Sequence, residues 1–150
     1  MSVALTDDEA WAVIAAAHTG ILTTLRRDGR PIPTPVWFVV DGRSILVAGP
    51  KGTAKFGRVR HDPRVAFLVE SGERWAELRA VRVDGLAAVV DDPDWVTVDA
   101  AIEQKYGGHR APRSEMAPAA ARRYDEARAL LRIEPDAPLV SWDNSRLESR

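Results

Sequence analysis

The stretch Gly20–Ala48, GILTTLRRDGRPIPTPVWFVVDGRSILVA, decides the fold. Its first six residues, Gly20 to Leu25, are rich in β-branched side chains and read as a strand. Asp28-Gly29 is a tight-turn signal, and a second strand is expected from Ile32 to Val40. Asp41-Gly42 repeats the turn signal before a third strand, Ser44 to Ala48. This half of the chain therefore predicts a β-meander with two tight turns.

Downstream, Gly49 and Pro50 are expected to end the third strand, followed by a short helix from Thr53 to Arg60 that Asp62-Pro63 stops. Arg64 to Glu70 reads as a strand and Ser71-Gly72 as a turn. Leu78 to Val90 alternates apolar and charged residues and reads as a long strand bent at Gly85. Asp92 as cap and Pro93 at the first position predict a helix through Tyr106, and Gly107 to Pro112 a loop. Pro118 to Ala129 is expected to be helical from its alanines and Glu/Arg pairs, with strands Leu130 to Glu134 and Leu139 to Trp142 closing the chain. Upstream, Thr6 with Asp7, Asp8 and Glu9 has the form of a capping box, opening a helix with Trp11, Ile14, Ala15 and His18 on one face. The expected fold is mainly β (α+β): a barrel of six or more antiparallel strands with peripheral helices, which leaves few edges unpaired.

The 150 residues suit one domain, 1–150, able to bury a core without staples. The absence of cysteine excludes disulfides, thiolate metal sites and a Cys nucleophile, and fits a reducing cytoplasm. With 21 basic and 22 acidic residues the chain carries no general attraction for nucleic acid or anionic membrane. The start, Met1 to Trp11, is acidic where a signal peptide would be basic and then apolar.

G-x-S-x-G, H-E-x-x-H and G-x-G-x-x-G are all missing. His18, His61 and His109 are scattered, with no second histidine at ligand spacing, so no metal site is expected. His18 reads as a helix residue, His61 as a helix C-terminal cation, and Asp91-Asp92 as a helix cap. Trp37 and Phe38 are neighbours on a strand, so one of them faces the core. Trp11 and Trp95 read as packing residues, and Trp75, in a polar loop, as an interface or ligand residue.

The segment Gly49-Pro50-Lys51-Gly52-Thr53-Ala54-Lys55 is the informative one. Thr53 is a natural cap, and Lys51 and Lys55 bring positive charge to a positive helix end. Each such charge costs roughly 0.3–1 kcal/mol at an exposed site. A bound phosphate would reverse that sign, and Gly49 and Gly52 let the backbone approach it. The same residues also suit a solvated loop with surface lysines.

In order along the chain, Gly20-Ile-Leu-Thr-Thr-Leu, Asp28-Gly-Arg-Pro, Pro35-Val-Trp-Phe, Lys55, Arg60-His-Asp-Pro-Arg-Val65, Gly72-Glu-Arg-Trp75, Val83-Asp-Gly-Leu-Ala87 and Lys105-Tyr106 resemble the flavin-binding split β-barrel superfamily. This is the pyridoxamine 5′-phosphate oxidase-like group, and within it the probable F420-dependent flavin/deazaflavin oxidoreductases. The resemblance covers residues 5 to 145 and implies a homodimer with cofactors at the subunit interface. It implies that Lys51, Thr53 and Lys55, with Ala54 between them, hold the cofactor phosphate. Pro35, Val36 and Trp37 would run along the ring system. Val47, Ala48, Gly49 and Pro50 would line the path from ring to phosphate. Trp75 and Trp142, with Arg146, would come from the partner subunit.

Pyridoxamine phosphate oxidases carry a C-terminal Trp followed by Arg-Leu-His-Asp-Arg. Here Trp142 is followed by Asp-Asn-Ser-Arg146-Leu147 and then Glu148-Ser149-Arg150, which argues against vitamin B6 oxidation. The expected function is hydride transfer between a reduced deazaflavin, F420, and a small organic acceptor. The proton would come from water or Tyr106, and Arg58, Arg60, Arg110 and Arg113 are candidates for the acidic tail. The alternatives are an FMN-dependent oxidase or reductase, a non-catalytic flavin or haem carrier, and a plain structural dimer.

Overall fold

In a computed structural model, which describes residues 2–147, an eight-stranded antiparallel sheet curls into a split barrel. The elements are α1 (Asp7–Ala16), β1 (Gly20–Leu25), β2 (Pro31–Val36), β3 (Val39–Asp41), β4 (Ser44–Pro50) and α2 (Ala54–His61). They continue with β5 (Arg64–Ser71), β6 (Arg79–Val90), α3 (Trp95–Tyr106), α4 (Pro118–Arg123), β7 (Arg128–Pro135) and β8 (Val140–Asp143). Strand order is β2-β1-β5-β6-β7-β4-β3, with β8 added beside β6.

The expected meander is corrected by this order. The segment read as one strand, Ile32 to Val40, divides at Trp37-Phe38: β2 pairs with β1, while β3 pairs with β4 at the other end of the sheet. Between them the buried Phe38 gives its backbone to side chains instead of to a strand. Its N–H donates to the Tyr106 hydroxyl at 2.9 Å, and its carbonyl accepts from Lys105 Nζ at 3.1 Å. Period-2 patterning shows no such break, because both halves keep the alternation.

Inward-facing Leu22, Phe38, Ile45, Val47, Phe67, Val81, Val83, Leu131 and Ile133 fill the barrel, with Ile14 of α1 and Phe56 and Val59 of α2 closing onto it. The N-terminal capping box forms as expected: Thr6 Oγ1 accepts from Glu9 N–H, and Glu9 Oε2 accepts from Thr6 N–H. A second apolar cluster lies outside the barrel, where Val98, Ala101, Ile102 and Tyr106 of α3 cover Val39, Leu46 and Leu130. At Gly85 a side chain would run into the Glu134 carbonyl of β7, which explains glycine in the middle of a long strand.

Four boundaries differ from expectation. β4 runs through Gly49 and Pro50, which pair with Ala129 and Arg128 of β7. α3 is capped by Asp94, whose Oδ1 accepts from Thr97 N–H, and not by Asp92. α4 ends at Arg123, because the chain from Arg128 onward is claimed by pairing with β4, which outweighs the helical preference of its alanines. α1 stops at Ala16, which leaves His18 beyond the helix. Among the described residues no helix is long and apolar enough to cross a membrane.

Candidate functional site

A cavity of about 620 Å³ lies between the outer face of β4 and helices α3 and α4. Alternation along β4 turns Leu46, Ala48 and Pro50 toward it, while Ile45 and Val47 point into the barrel. Asp99, Ile102, Glu103 and Tyr106 recur at helical spacing and form the facing side of α3. Ala120, Arg123 and Tyr124 close it from α4.

One end of the cavity is a flat aromatic platform. Trp37, 39% exposed, stacks on the buried Tyr106 with ring centroids 4.3 Å apart and planes 3° from parallel. His18 meets Trp37, Tyr106 and His109 edge-on, with 4.6 Å between the two imidazole centroids. Two of the three histidines that look scattered in sequence, His18 and His109, therefore meet here, because α1 ends before His18 and α3 before His109. Among the described residues no group of three or more His, Cys, Asp or Glu residues is placed to hold a metal.

The Tyr106 hydroxyl lies between the carbonyls of His18 (2.8 Å) and Phe38 (2.9 Å) and accepts the Phe38 N–H. Burial pushes its pKa up. The hydroxyl thus faces two backbone carbonyls of the scaffold. Lys105, beside it, lies 3.7 Å from the Phe38 ring centroid with no carboxylate partner among the described residues, and burial lowers its pKa to about 8.

The other end is cationic. Lys55 Nζ would stand 3.4 Å from a Cβ on Gly49, so glycine there leaves the ammonium against bare backbone. Burial first, then the charges of Arg123 and Arg58, push Lys55 below the usual lysine range. No carboxylate pairs with Lys55 among the described residues. Two other parts of the expected phosphate cradle are otherwise engaged. Lys51 Nζ pairs with Asp91 at 3.0 Å, and Thr53 Oγ1 donates to Pro50 O at 2.6 Å instead of capping α2. The Asp91-Asp92 pair is thus an ion-pair partner on one side, not a helix cap.

The structure brings together Trp37, Ala48, Gly49 and Pro50 on the cavity wall with Lys55 behind Gly49. Val36 and Val47 have their side chains in the barrel core, so only their backbone is available to a ligand. Pro35 lies exposed on β2, and Ala54 lines a smaller pocket of about 300 Å³ with Arg27, Arg58 and His61. Trp75 and Trp142 do not line their own chain's cavity. Asn144, two residues past Trp142, donates from Nδ2 to the Trp75 carbonyl at 2.8 Å. Arg146 is bonded to Ala4 O and Glu9 of its own chain. The residues Glu148 to Arg150 of the altered C-terminal motif lie outside the described residues.

Of the arginines expected near the tail, Arg110 lines the cavity, Arg58 donates to Thr24 Oγ1, Arg60 pairs with Asp91 and Arg113 with Asp125. Arg123, Tyr124 and Arg128 are missed by the sequence reading. The run Arg122-Arg123-Tyr124 after an alanine stretch was the available signal.

A curled antiparallel barrel with a flat-floored cavity and a cationic end defines the flavin-binding split-barrel class. The family model for pyridoxamine 5′-phosphate oxidase matches residues 6–138, and the chain belongs to that family. A conserved hypothetical protein from Mycobacterium tuberculosis is similar at 25% identity over 99% of this chain and 91% of its own, with a TM-score of 0.82. An F420 reductase superposes with a TM-score of 0.64 at 22% identity, covering 86% of this chain and 94% of that one. An FAD-binding protein from Mesorhizobium loti gives a TM-score of 0.66 at 20% identity, covering 91% and 92%.

Proposed function

We propose that the protein is an F420-dependent oxidoreductase that moves a hydride between reduced deazaflavin and a small organic acceptor. The carrying observation is the cavity itself, which runs from a stacked aromatic floor at Trp37 to Gly49, with Lys55, unpaired among the described residues, against the other side of Gly49. A volume of about 620 Å³ suits a tricyclic ring system, and an anion near Gly49 would relieve the charge held on Lys55. The residues therefore fit a phosphorylated tricycle. When bound, the deazaflavin supplies the hydride chemistry.

The chain's own residues hold and orient. Trp37 offers its face to a ring, Ala48 and Pro50 shape the passage, and Lys55 fixes the phosphate. Leu46 and Ile102 keep water from the cavity wall. The fold likeness to an F420 reductase supports this reading. So do Arg110 in the cavity, which reaches Glu103 only at 3.9 Å, and Arg58 beside α2, which pairs with no carboxylate among the described residues; both suit an acidic tail.

FMN is the second reading, on one specific observation. Arg60 and Arg113, expected for a longer tail, are committed to Asp91 and Asp125. A ligand whose charge ends at the phosphate does not need them.

The active form we propose is a homodimer. Trp75, 66% exposed, lies beside the C-terminal turn that carries the exposed Leu147, a patch that a second copy would cover. The test of function is oxidation of reduced F420 by a panel of quinone, nitro and enone acceptors. Turnover lost in Lys55→Ala is expected. Binding of F420 without turnover on any acceptor would leave a carrier instead of an enzyme.

A further inference from the structure

We infer that the pocket between the end of β1 and helix α2, outside the cavity described above, is an oxyanion-binding site that takes a compact dianion of the phosphate class on Arg27, Arg58 and His61. The inference does not depend on what the cavity holds.

The pocket measures about 300 Å³ and is lined by Leu25, Arg27, Ala54, Gly57, Arg58 and His61. Phe56 and Val59 of α2 turn into the barrel, and helical spacing gathers Ala54, Gly57, Arg58 and His61 on the opposite face. Three basic side chains and no carboxylate therefore line one pocket. The carboxylates nearest in sequence are engaged elsewhere. Asp28 accepts the Arg30 N–H at 3.0 Å and pairs with Arg26 at 3.5 Å, and Asp62 holds Arg64 through both of its oxygens. Arg27 and Arg58 pair with no carboxylate among the described residues. Two like charges share one pocket without a counter-ion, an arrangement that an entering anion relieves.

Arg58 is anchored on a buried hydroxyl. Its Nε donates at 2.7 Å to Oγ1 of Thr24, which is 1% exposed on the inward face of β1. Its Nη1 and Nη2 groups have no hydrogen-bond partner among the described residues. A guanidinium fixed at Nε and open at both Nη groups is preorganised to grip an oxyanion with two donors. Gly57 points to the same occupant. Glycine is the poorest helix former after proline, yet it stands inside α2. Its φ is not positive, and no neighbouring atom lies within 4 Å of the place a Cβ would take. Neither backbone conformation nor packing within this chain calls for glycine there, and a side chain would enter the pocket. The permanent charges of Arg27 and Arg58 match a dianion, and the His61 ring adds a further nitrogen donor.

The experiment titrates inorganic phosphate into the full-length, cofactor-free protein and follows nitrogen–proton correlation spectra. The Gly57 amide and the Arg58 Nε–H report on this pocket, and the Gly49 and Gly52 amides on the segment before α2. Phosphate should shift the Gly57 and Arg58 signals saturably. Arg27→Ala, which removes an exposed side chain, should weaken this binding about tenfold or more, the scale of a lost charge-assisted contact. Arg27→Lys should restore part of the loss. Gly57→Leu should abolish binding while the melting temperature holds or rises, because leucine is the better helix former. Arg58 is the poorer probe, since its removal takes the partner from the buried Thr24 hydroxyl. Adding F420 separates two sources of the anion. Phosphate displaced from Gly57 identifies the acidic tail of the ring ligand as the occupant, and phosphate retained beside bound F420 identifies a separate phosphorylated ligand; either supports the site. If F420 does not bind, the functional reading fails and the phosphate titration still decides this inference. Shifts confined to residues 49–55, or a Gly57→Leu protein that binds phosphate as wild type does, would overturn it.

Discussion

Trp37 and Tyr106 stack as parallel rings with their centroids 4.3 Å apart, and the hydroxyl of the buried partner holds the backbone that carries the exposed one. Tyr106 thus supports the platform twice, by its face beneath Trp37 and by its hydroxyl at Phe38. Replacing it with Phe keeps the face and removes the hydroxyl. The buried Phe38 N–H then lacks a partner, which costs about 1–3 kcal/mol. Tyr106→Phe should unfold at lower urea than wild type. Quenching of Trp37 fluorescence by added cofactor should persist, since the stack survives.

The two lysines of the Gly49–Lys55 segment differ in what already faces them. Lys55 is half-buried with no carboxylate partner among the described residues, whereas Lys51 is exposed and paired with Asp91. Lys55→Ala should weaken binding of the phosphorylated cofactor by about tenfold or more, and Lys51→Ala by less than about threefold. Fluorescence titration of the two variants side by side measures the difference. Equal losses would show that Lys51 leaves Asp91 for the ligand.

Lys105 sets a pH dependence. Its folded pKa of about 8 lies below the ordinary 10.5, so above pH 8 the folded protein gives up its proton before the unfolded chain does. Stability therefore carries the full cost of the desolvated ammonium below pH 8, and that cost is relieved as pH rises from about 8 toward 10.5. The melting temperature of wild type relative to Lys105→Met should rise across this window. A constant difference would mean that the Phe38 carbonyl and ring compensate the charge fully.

The sequence made most elements legible because their signals are local. The Thr6–Glu9 capping box and the Asp28-Gly29 and Asp41-Gly42 turns each form within a few residues. The break at Trp37-Phe38 was not legible, since it comes from the Tyr106 hydroxyl, 68 residues away from Phe38. The end of α4 was set by pairing with β4, and the meeting of His18 with His109 by where α1 and α3 stop. In the site, Lys55 and Gly49 could be named from spacing and glycine content. The commitment of Lys51 to Asp91 and the approach of Arg123 depend on tertiary placement that no local pattern encodes.

Gly85 sits where β6 passes close to β7, with the Glu134 carbonyl in the space a side chain would take. Gly85→Ala must push the two strands apart and should cost about 1–3 kcal/mol. Urea unfolding should show the loss with the barrel still formed by circular dichroism.

The central claim is that the cavity between Trp37 and Gly49 holds a phosphorylated tricyclic cofactor. Its most direct test is the absorption spectrum of the purified protein after incubation with F420 or FMN and gel filtration. The F420 chromophore should travel with the wild-type protein and be largely lost from Lys55→Ala. FMN alone in the protein peak would decide for the second reading, and a protein peak that carries neither chromophore would contradict the account.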